Sequence, residues 1–250
     1  MNKKLSLFIL LSTLSYSFVS LEPSVVGEEK GFNGQVAFSI KYNEGNSNSR
    51  AGSFSTKSQY TSTTNPWLIY LLGSYTYGES NKKKDTNDGT VHLRYIRTFT
   101  TNFDYEFFIQ REFNEFQAIR ERNLIGSNLR VNLFNHFFDK YYFGLGLFSS
   151  YLEPDTITII DPVYRRIKMN SYISFLKKIN DNFSITYLGY YQPTLENFND
   201  FRIFQTLQLS TTLTQKISLS LDIWHQYNAT PYHNIKTTDI RSRLSLRYDF

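Results

Sequence analysis

Four histidines, at positions 92, 136, 225 and 233, are the side chains best suited to proton transfer near neutral pH, and the chain scatters them without an HExxH pair. Neither GxSxG, which would raise a nucleophilic serine on a tight turn, nor GxxxxGK[ST], which would cradle a phosphate, is present. Asp104 and Glu106 have the types of an acid–base pair. They alternate with Phe103, Tyr105 and Phe107, so an extended strand turns both carboxylates away from the aromatics. Parity puts Arg94, Arg130, Arg241, Arg243 and Arg247 on the same polar face, where a charged structural network is the expected role. No catalytic, cofactor-binding or metal-ligating set is expected.

The elements that must position these groups are strands of period two. Ile240, Leu244, Leu246, Tyr248 and Phe250 share one parity, and Arg241, Arg243, Arg247 and Asp249 share the other. Ile217, Leu219, Leu221 and Ile223 alternate with Ser218, Ser220, Asp222 and Trp224 in the same way. Bounded segments predict strands near Gly31–Tyr42, Ser49–Thr61, Trp67–Gly78, Asp88–Phe99, Phe103–Glu112 and Asn123–Leu133. Six more follow near Lys140–Tyr151, Tyr164–Lys177, Asn182–Gln192, Asp200–Leu213, Ile217–Tyr227 and Thr238–Phe250. Ser49–Thr61 is nearly all polar, and adjacent Leu124 and Ile125 blur the parity of their segment.

The links differ in length. Thr64–Pro66, Thr100–Asn102, Ile179–Asp181 and Thr214–Lys216 are short, whereas Glu79–Asn87, Glu153–Asp161 and Asn228–Thr237 are long. Short turns on one side and long loops on the other are the asymmetry of an outer-membrane barrel. The run Lys82–Lys84 would then lie in an external loop, where it has the charge to contact lipopolysaccharide. The acceptor-like Asn182-Phe183-Ser184 and Asn228-Ala229-Thr230 carry no meaning in a bacterial exported chain.

Composition agrees with such a wall. Of 250 residues 40% are hydrophobic and 17% aromatic, yet 20% are charged, so the apolar residues are distributed along one face of many strands. Without Lys3 and Lys4 the balance is 25 basic to 22 acidic residues, which does not point to nucleic acid. The absence of cysteine excludes disulfides, thiolate metal sites, a catalytic thiol and a lipidated N-terminal cysteine.

Lys3 and Lys4 followed by the apolar run Leu5–Leu14 read as a signal peptide cleaved near Ser20. The expected domains are a signal peptide over 1–20, a short periplasmic segment over 21–30 and a barrel over 31–250. No later run approaches the roughly 18 apolar residues of a spanning helix. A membrane chain of this kind must close its strands into a barrel, because lipid offers no partners to backbone polar groups.

One stretch is more specific. Phe108–Arg130, FIQREFNEFQAIRERNLIGSNLR, follows the early Glu44-Gly45-Asn46 and a Tyr-rich strand after Trp67. With Gln110, Glu112, Asn114, Arg122, Leu124, Gly126 and Arg130 as its specific positions, it resembles the YdiY-like family of salt-induced outer-membrane proteins, domain of unknown function 481. The likeness runs from about Gly31 to Phe250, and Asn128 stands where the family pattern leads one to expect glycine. The resemblance implies an outer-membrane barrel without a settled biochemical role, and it transfers no catalytic or ligand-binding residue.

The fold expected is therefore an all-β, antiparallel transmembrane barrel of about twelve strands in the outer membrane of a Gram-negative bacterium. It would be structural or a narrow, porin-like channel, linked through the resemblance to osmotic or salt conditions. The enzymatic alternative is an outer-membrane lipid hydrolase, a phospholipase or lipid A esterase. That chemistry needs an outward serine and histidine at the membrane boundary. His225 shares the outward parity of Ile223, but no partnered serine is evident. A soluble periplasmic β-protein is the third reading. The expected partners are outer-membrane lipid, lipopolysaccharide and the barrel-insertion machinery, with no cofactor and no nucleic acid. Leu244, Leu246, Tyr248 and Phe250 form the expected assembly signal.

Overall fold

The computed structural model describes residues 23–28, 30–43, 48–133 and 137–250, and the side chains of all of these except Lys41 and Asn43. The expected leader, the Glu44-Gly45-Asn46 motif and His136 lie outside the described residues.

Twelve strands make the wall: β1 Gly31–Asn43, β2 Ser49–Thr61, β3 Trp67–Ser80, β4 Lys83–Thr100, β5 Phe103–Asn114 and β6 Ile119–Asn132. They continue as β7 Lys140–Pro154, β8 Tyr164–Lys178, β9 Phe183–Thr194, β10 Asn197–Thr212, β11 Ile217–Asn228 and β12 Thr238–Asp249. Each strand pairs antiparallel with its sequence neighbours, and β1 pairs with β12, so the sheet closes into a barrel. No described helix is long and apolar enough to cross a membrane; the chain crosses with strands.

Alternation decides which side chains face out. On β12, Leu244 and Leu246 are 59% and 51% exposed while Ser245 between them is buried and the flanking Arg243 and Arg247 are 4% exposed. The apolar side of each strand therefore forms the outer surface and the polar side the interior, the reverse of a water-soluble protein. The adjacent pair Leu124 and Ile125 resolves in the same way, with Leu124 buried inward and Ile125 outward at 52% exposure. All six prolines lie at strand ends or outside strands, where no ladder donor is lost from a strand interior.

Aromatic rows edge the apolar band. Tyr60, Trp67 and Tyr95 stand side by side on neighbouring strands, with ring centroids 5.7 and 6.0 Å apart. Tyr191, Phe201 and Tyr227 do the same at the other end, at 5.6 and 5.5 Å. Amphipathic rings of this kind settle at the level of lipid headgroups.

Links differ from the expectation in one place. Glu79–Asn87 is not a loop: β3 and β4 continue through it and meet at a two-residue turn, Asn81 and Lys82, both with positive φ (49° and 63°). That backbone matches the twist of a tight hairpin. The segment reads as a loop because it carries few apolar residues, but a strand rising beyond the membrane needs none. Among the three lysines of this hairpin, Lys84 is held by Glu115 at 2.7 Å. The long links are 155–163 and 229–237, on the same end as that hairpin.

The closing seam is short. Between β1 and β12 the register runs from Gln35–Asp249 to Phe38–Leu246, four pairs, whereas β1 and β2 are matched over thirteen. Phe250 extends the seam through reciprocal bonds with Gly34, at 2.9 and 3.0 Å. Its ring lies over Gly34 so closely that a Cβ there would fall 2.4 Å from it, so any larger residue would push the ring aside.

Candidate functional site: the barrel lumen

The inward side chains of β4, β5, β6 and β8 meet around one carboxylate. Glu106 has no solvent exposure, and Arg94 and Arg130 approach it at 3.5 and 3.7 Å. The Tyr172 hydroxyl donates to Glu106 Oε2 at 2.8 Å and the Asn128 amide at 3.1 Å. Arg130 also forks onto Asp104 Oδ2 at 2.8 and 2.6 Å, a charge-assisted geometry that fixes both groups. Two carboxylates facing two guanidiniums let four charges stay buried; Thr98 donates to Asp104 Oδ1 at 2.6 Å, and among the described residues Glu106 Oε1 has only the Arg130 guanidinium near it and no hydrogen bond.

The position expected to be glycine thus holds a relay. Asn128 passes from Glu106 to Asn170 (3.0 Å), and Asn170 accepts from Gln192 at 2.9 Å. Space for Tyr172 comes from Gly144 on the facing strand, where a Cβ would lie 2.0 Å from its ring. Arg94 reaches across the lumen to donate to the Tyr190 hydroxyl at 3.3 Å, between the rings of Tyr70, Phe108 and Tyr172. His92 accepts from Arg94 on Nε2, which assigns its proton to Nδ1, facing Gln110 Oε1 at 2.9 Å. Among the described residues no serine hydroxyl hydrogen-bonds its ring.

Of the seven residues expected in a charged network, the structure brings Arg94, Asp104, Glu106 and Arg130 together. The three arginines of β12 stand apart from them. Arg241 lies near Asp88 (3.9 Å) and bonds Asp239, Arg243 covers the Trp224 ring at 5.1 Å, and Arg247 donates to Ser210 at 3.3 Å. Missed from sequence were a second cluster, Arg166 and Lys168 on Asp200 at 2.6 and 3.2 Å, and Arg202, which joins Arg122 at Glu112; Glu112 and Arg122 themselves belong to the charged stretch whose density of opposite charges suggests a rim network of ion pairs. The alternation of Asp200 and Arg202 with Phe201 and Ile203 is the signal that would have found them.

Both ends of the lumen are occupied by chain. At the end where β1 begins and β12 finishes, Ser24 accepts from Lys57 through its hydroxyl (2.9 Å) and from Arg130 through its carbonyl (3.0 Å). At the other end the 3₁₀ turn Glu115–Gln117 leans inward, and Gln117 contacts Asp239 and Gln226 on the far wall at 3.4 and 3.2 Å. Glu115 accepts from Asn87 and Lys84, bonds that hold its carboxyl below the usual carboxylate range. Loop 229–237 lies against loop 155–163, with Tyr232 stacked on Tyr164 and the His233 amide on Asp161. Between these ends lies a cavity of about 310 Å³, with a smaller one of about 40 Å³ beneath the two loops. Nine Lys and Arg but five Asp and Glu line the two spaces, so the lumen is net basic.

Outside the barrel, His225 is outward as parity required. Its Nδ1 meets Gln205 Oε1 at 3.2 Å, and among the described residues no serine hydroxyl hydrogen-bonds the ring. The nearest outward serine by register is Ser242, paired with Ile223 and one diagonal step away.

Comparison with solved structures finds barrels over most of the chain. A NanC porin is 11% identical with a TM-score of 0.49, covering 88% of this chain and 98% of its own. A KdgM porin is 11% identical with a TM-score of 0.45, covering 88% and 99%. The translocator domain of the autotransporter NalP from Neisseria meningitidis is 8% identical with a TM-score of 0.49, covering 90% of each chain. These are likenesses of architecture, and nothing about solute or activity passes from them. No curated protein matches the chain. A family pattern does, over residues 36–250, and the chain belongs to that family, described as Protein of unknown function, DUF481.

Proposed function

We propose that the protein is a narrow channel of the Gram-negative outer membrane that favours anions over cations. The observation that carries this reading is the excess of basic side chains lining a cavity inside an apolar-walled, closed barrel. Twelve strands fall between eight-stranded barrels filled by side chains and the open channels of 16 to 18 strands. The Arg94–Tyr190 and Arg202–Glu112 contacts, each from one wall to the opposite one, narrow the lumen further. Fixed positive charge along a low-dielectric passage raises the local concentration of anions.

In this reading the outer surface contacts lipid and lipopolysaccharide, and the protein is not an enzyme. The connection to salt rests on the family resemblance. Planar-bilayer recording across a potassium chloride gradient tests the proposal. A small conductance with a reversal potential on the chloride side is expected, and a silent or cation-selective barrel would overturn it.

A further inference from the structure

Arg122 on β6 and Arg202 on β10 enter the large cavity from opposite walls, and they are 5% and 9% exposed. One carboxylate stands between them: Arg122 Nη1 lies 2.8 Å from Glu112 Oε1, and Arg202 Nη1 lies 3.7 Å from the same oxygen. The second distance is too long for a hydrogen bond, and both Arg202 Nη1 and Arg122 Nη2 are buried without a hydrogen-bond partner. Arg166 and Lys168 stand close by on Asp200. Four cations therefore share two carboxylates at this level, and a buried guanidinium with idle donors is costly unless an acceptor arrives.

The layer beneath is of another kind. The next inward position below Arg202 is Phe204, below Arg122 it is Leu124, and Phe108 lies lower on the strand of Glu112. Trp224 completes the wall of the same cavity. A volume of about 310 Å³ is enough for a small ligand that fits a charged head above and an apolar body below.

We propose that this level of the lumen is a binding site for an organic oxyanion. Its carboxylate or phosphate head bridges the idle N–H groups of Arg122 and Arg202, and its ring lies against Phe204, Phe108 and Trp224. The inference deepens the anion-channel reading of the same lumen, and a binding measurement in detergent separates the two.

Trp224 lines the cavity while Trp67, the other tryptophan, stands in the outer aromatic row, so a Trp67→Phe background makes Trp224 the sole reporter. The full chain, folded in detergent, is titrated with benzoate, phenyl phosphate and inorganic phosphate. Saturable quenching by the ring-bearing anions is expected, with inorganic phosphate weaker. Arg202→Gln and Arg122→Gln should each raise Kd roughly tenfold, and Arg202→Lys should raise it too, because a point charge cannot present the guanidinium fork. Arg247→Gln, outside the cavity, should leave Kd unchanged, and a heat-modifiable band on gels confirms that each variant is folded. No saturable signal from either ring anion, binding indifferent to the Arg122 and Arg202 variants, or equal binding of inorganic phosphate overturns the site. Binding in a barrel that is silent in bilayers keeps the site and removes the channel, and conduction without binding does the reverse.

Discussion

At the scale of single residues, Glu106 shows how a chain without cysteine holds charge inside a barrel. Two guanidiniums, a phenol and an amide converge on it. Removing the carboxylate leaves Arg94 and Arg130 buried with a partner missing. Glu106→Ala should therefore lower unfolding stability by about 3 to 5 kcal/mol, and Glu106→Gln by less, because its amide oxygen still accepts from Tyr172. Urea titration of the barrel folded into lipid vesicles measures the difference, and a Glu106→Gln barrel as stable as the unaltered one would deny the charge its role. Parity along β4, β5 and β6 was enough to put Arg94, Asp104, Glu106 and Arg130 on one face. It was blind to Tyr172 and Asn170, because their contacts depend on how far the wall curves, which no local spacing encodes.

At the scale of elements, the strands were legible wherever one face had to be apolar. Even the polar segment Ser49–Thr61 forms β2 over the expected span, since its outward Phe54 and Tyr60 and its ladder with β1 leave it no other conformation. The misreading at Glu79–Asn87 has the opposite cause: beyond the lipid the outward face is released from being greasy, and the alternation that marks a strand fades. Depth within the lipid also orders the cost of charge. Leu246→Arg, near the middle of the apolar band, should destabilise by roughly 2 to 4 kcal/mol, and Ile240→Arg, near its edge, by about 0 to 1 kcal/mol. The same vesicle titration reads both, and similar costs would show that the band is misplaced.

The last strand also bears on assembly. Phe250 follows Leu244, Leu246 and Tyr248 at two-residue intervals, the outward row proposed as the assembly signal. If it is an assembly signal, deleting it should slow accumulation in the outer membrane while leaving refolding into detergent intact. Pulse labelling with membrane fractionation decides this. Because the ring also fills the space over Gly34, accumulation at the normal rate would leave Phe250 with a packing role alone.

At the scale of the whole molecule, the start of β1 and the end of β12 share one end, and the two long loops share the other with the Asn81–Lys82 turn. If the loops face the outside, protease added to intact cells should cut within 155–163 or 229–237 and spare the turn at Asn81–Lys82, whose flanking backbone is paired. Mapping the fragments by mass spectrometry checks it, and cleavage at Asn81–Lys82 with both loops spared would reverse the orientation.

The wall is also unequal around its circumference. A tube slit along part of its length keeps its resistance to bending but loses much of its resistance to twist, since shear can no longer pass around the circle. Above Phe38 and Leu246 the ladder between the first and last strands has ended, so the half of the barrel bearing the long loops is such a slit tube, while the half around Gly34 and Phe250 is a sealed ring. Torsion applied by the surrounding bilayer would then be taken up at one line and one height.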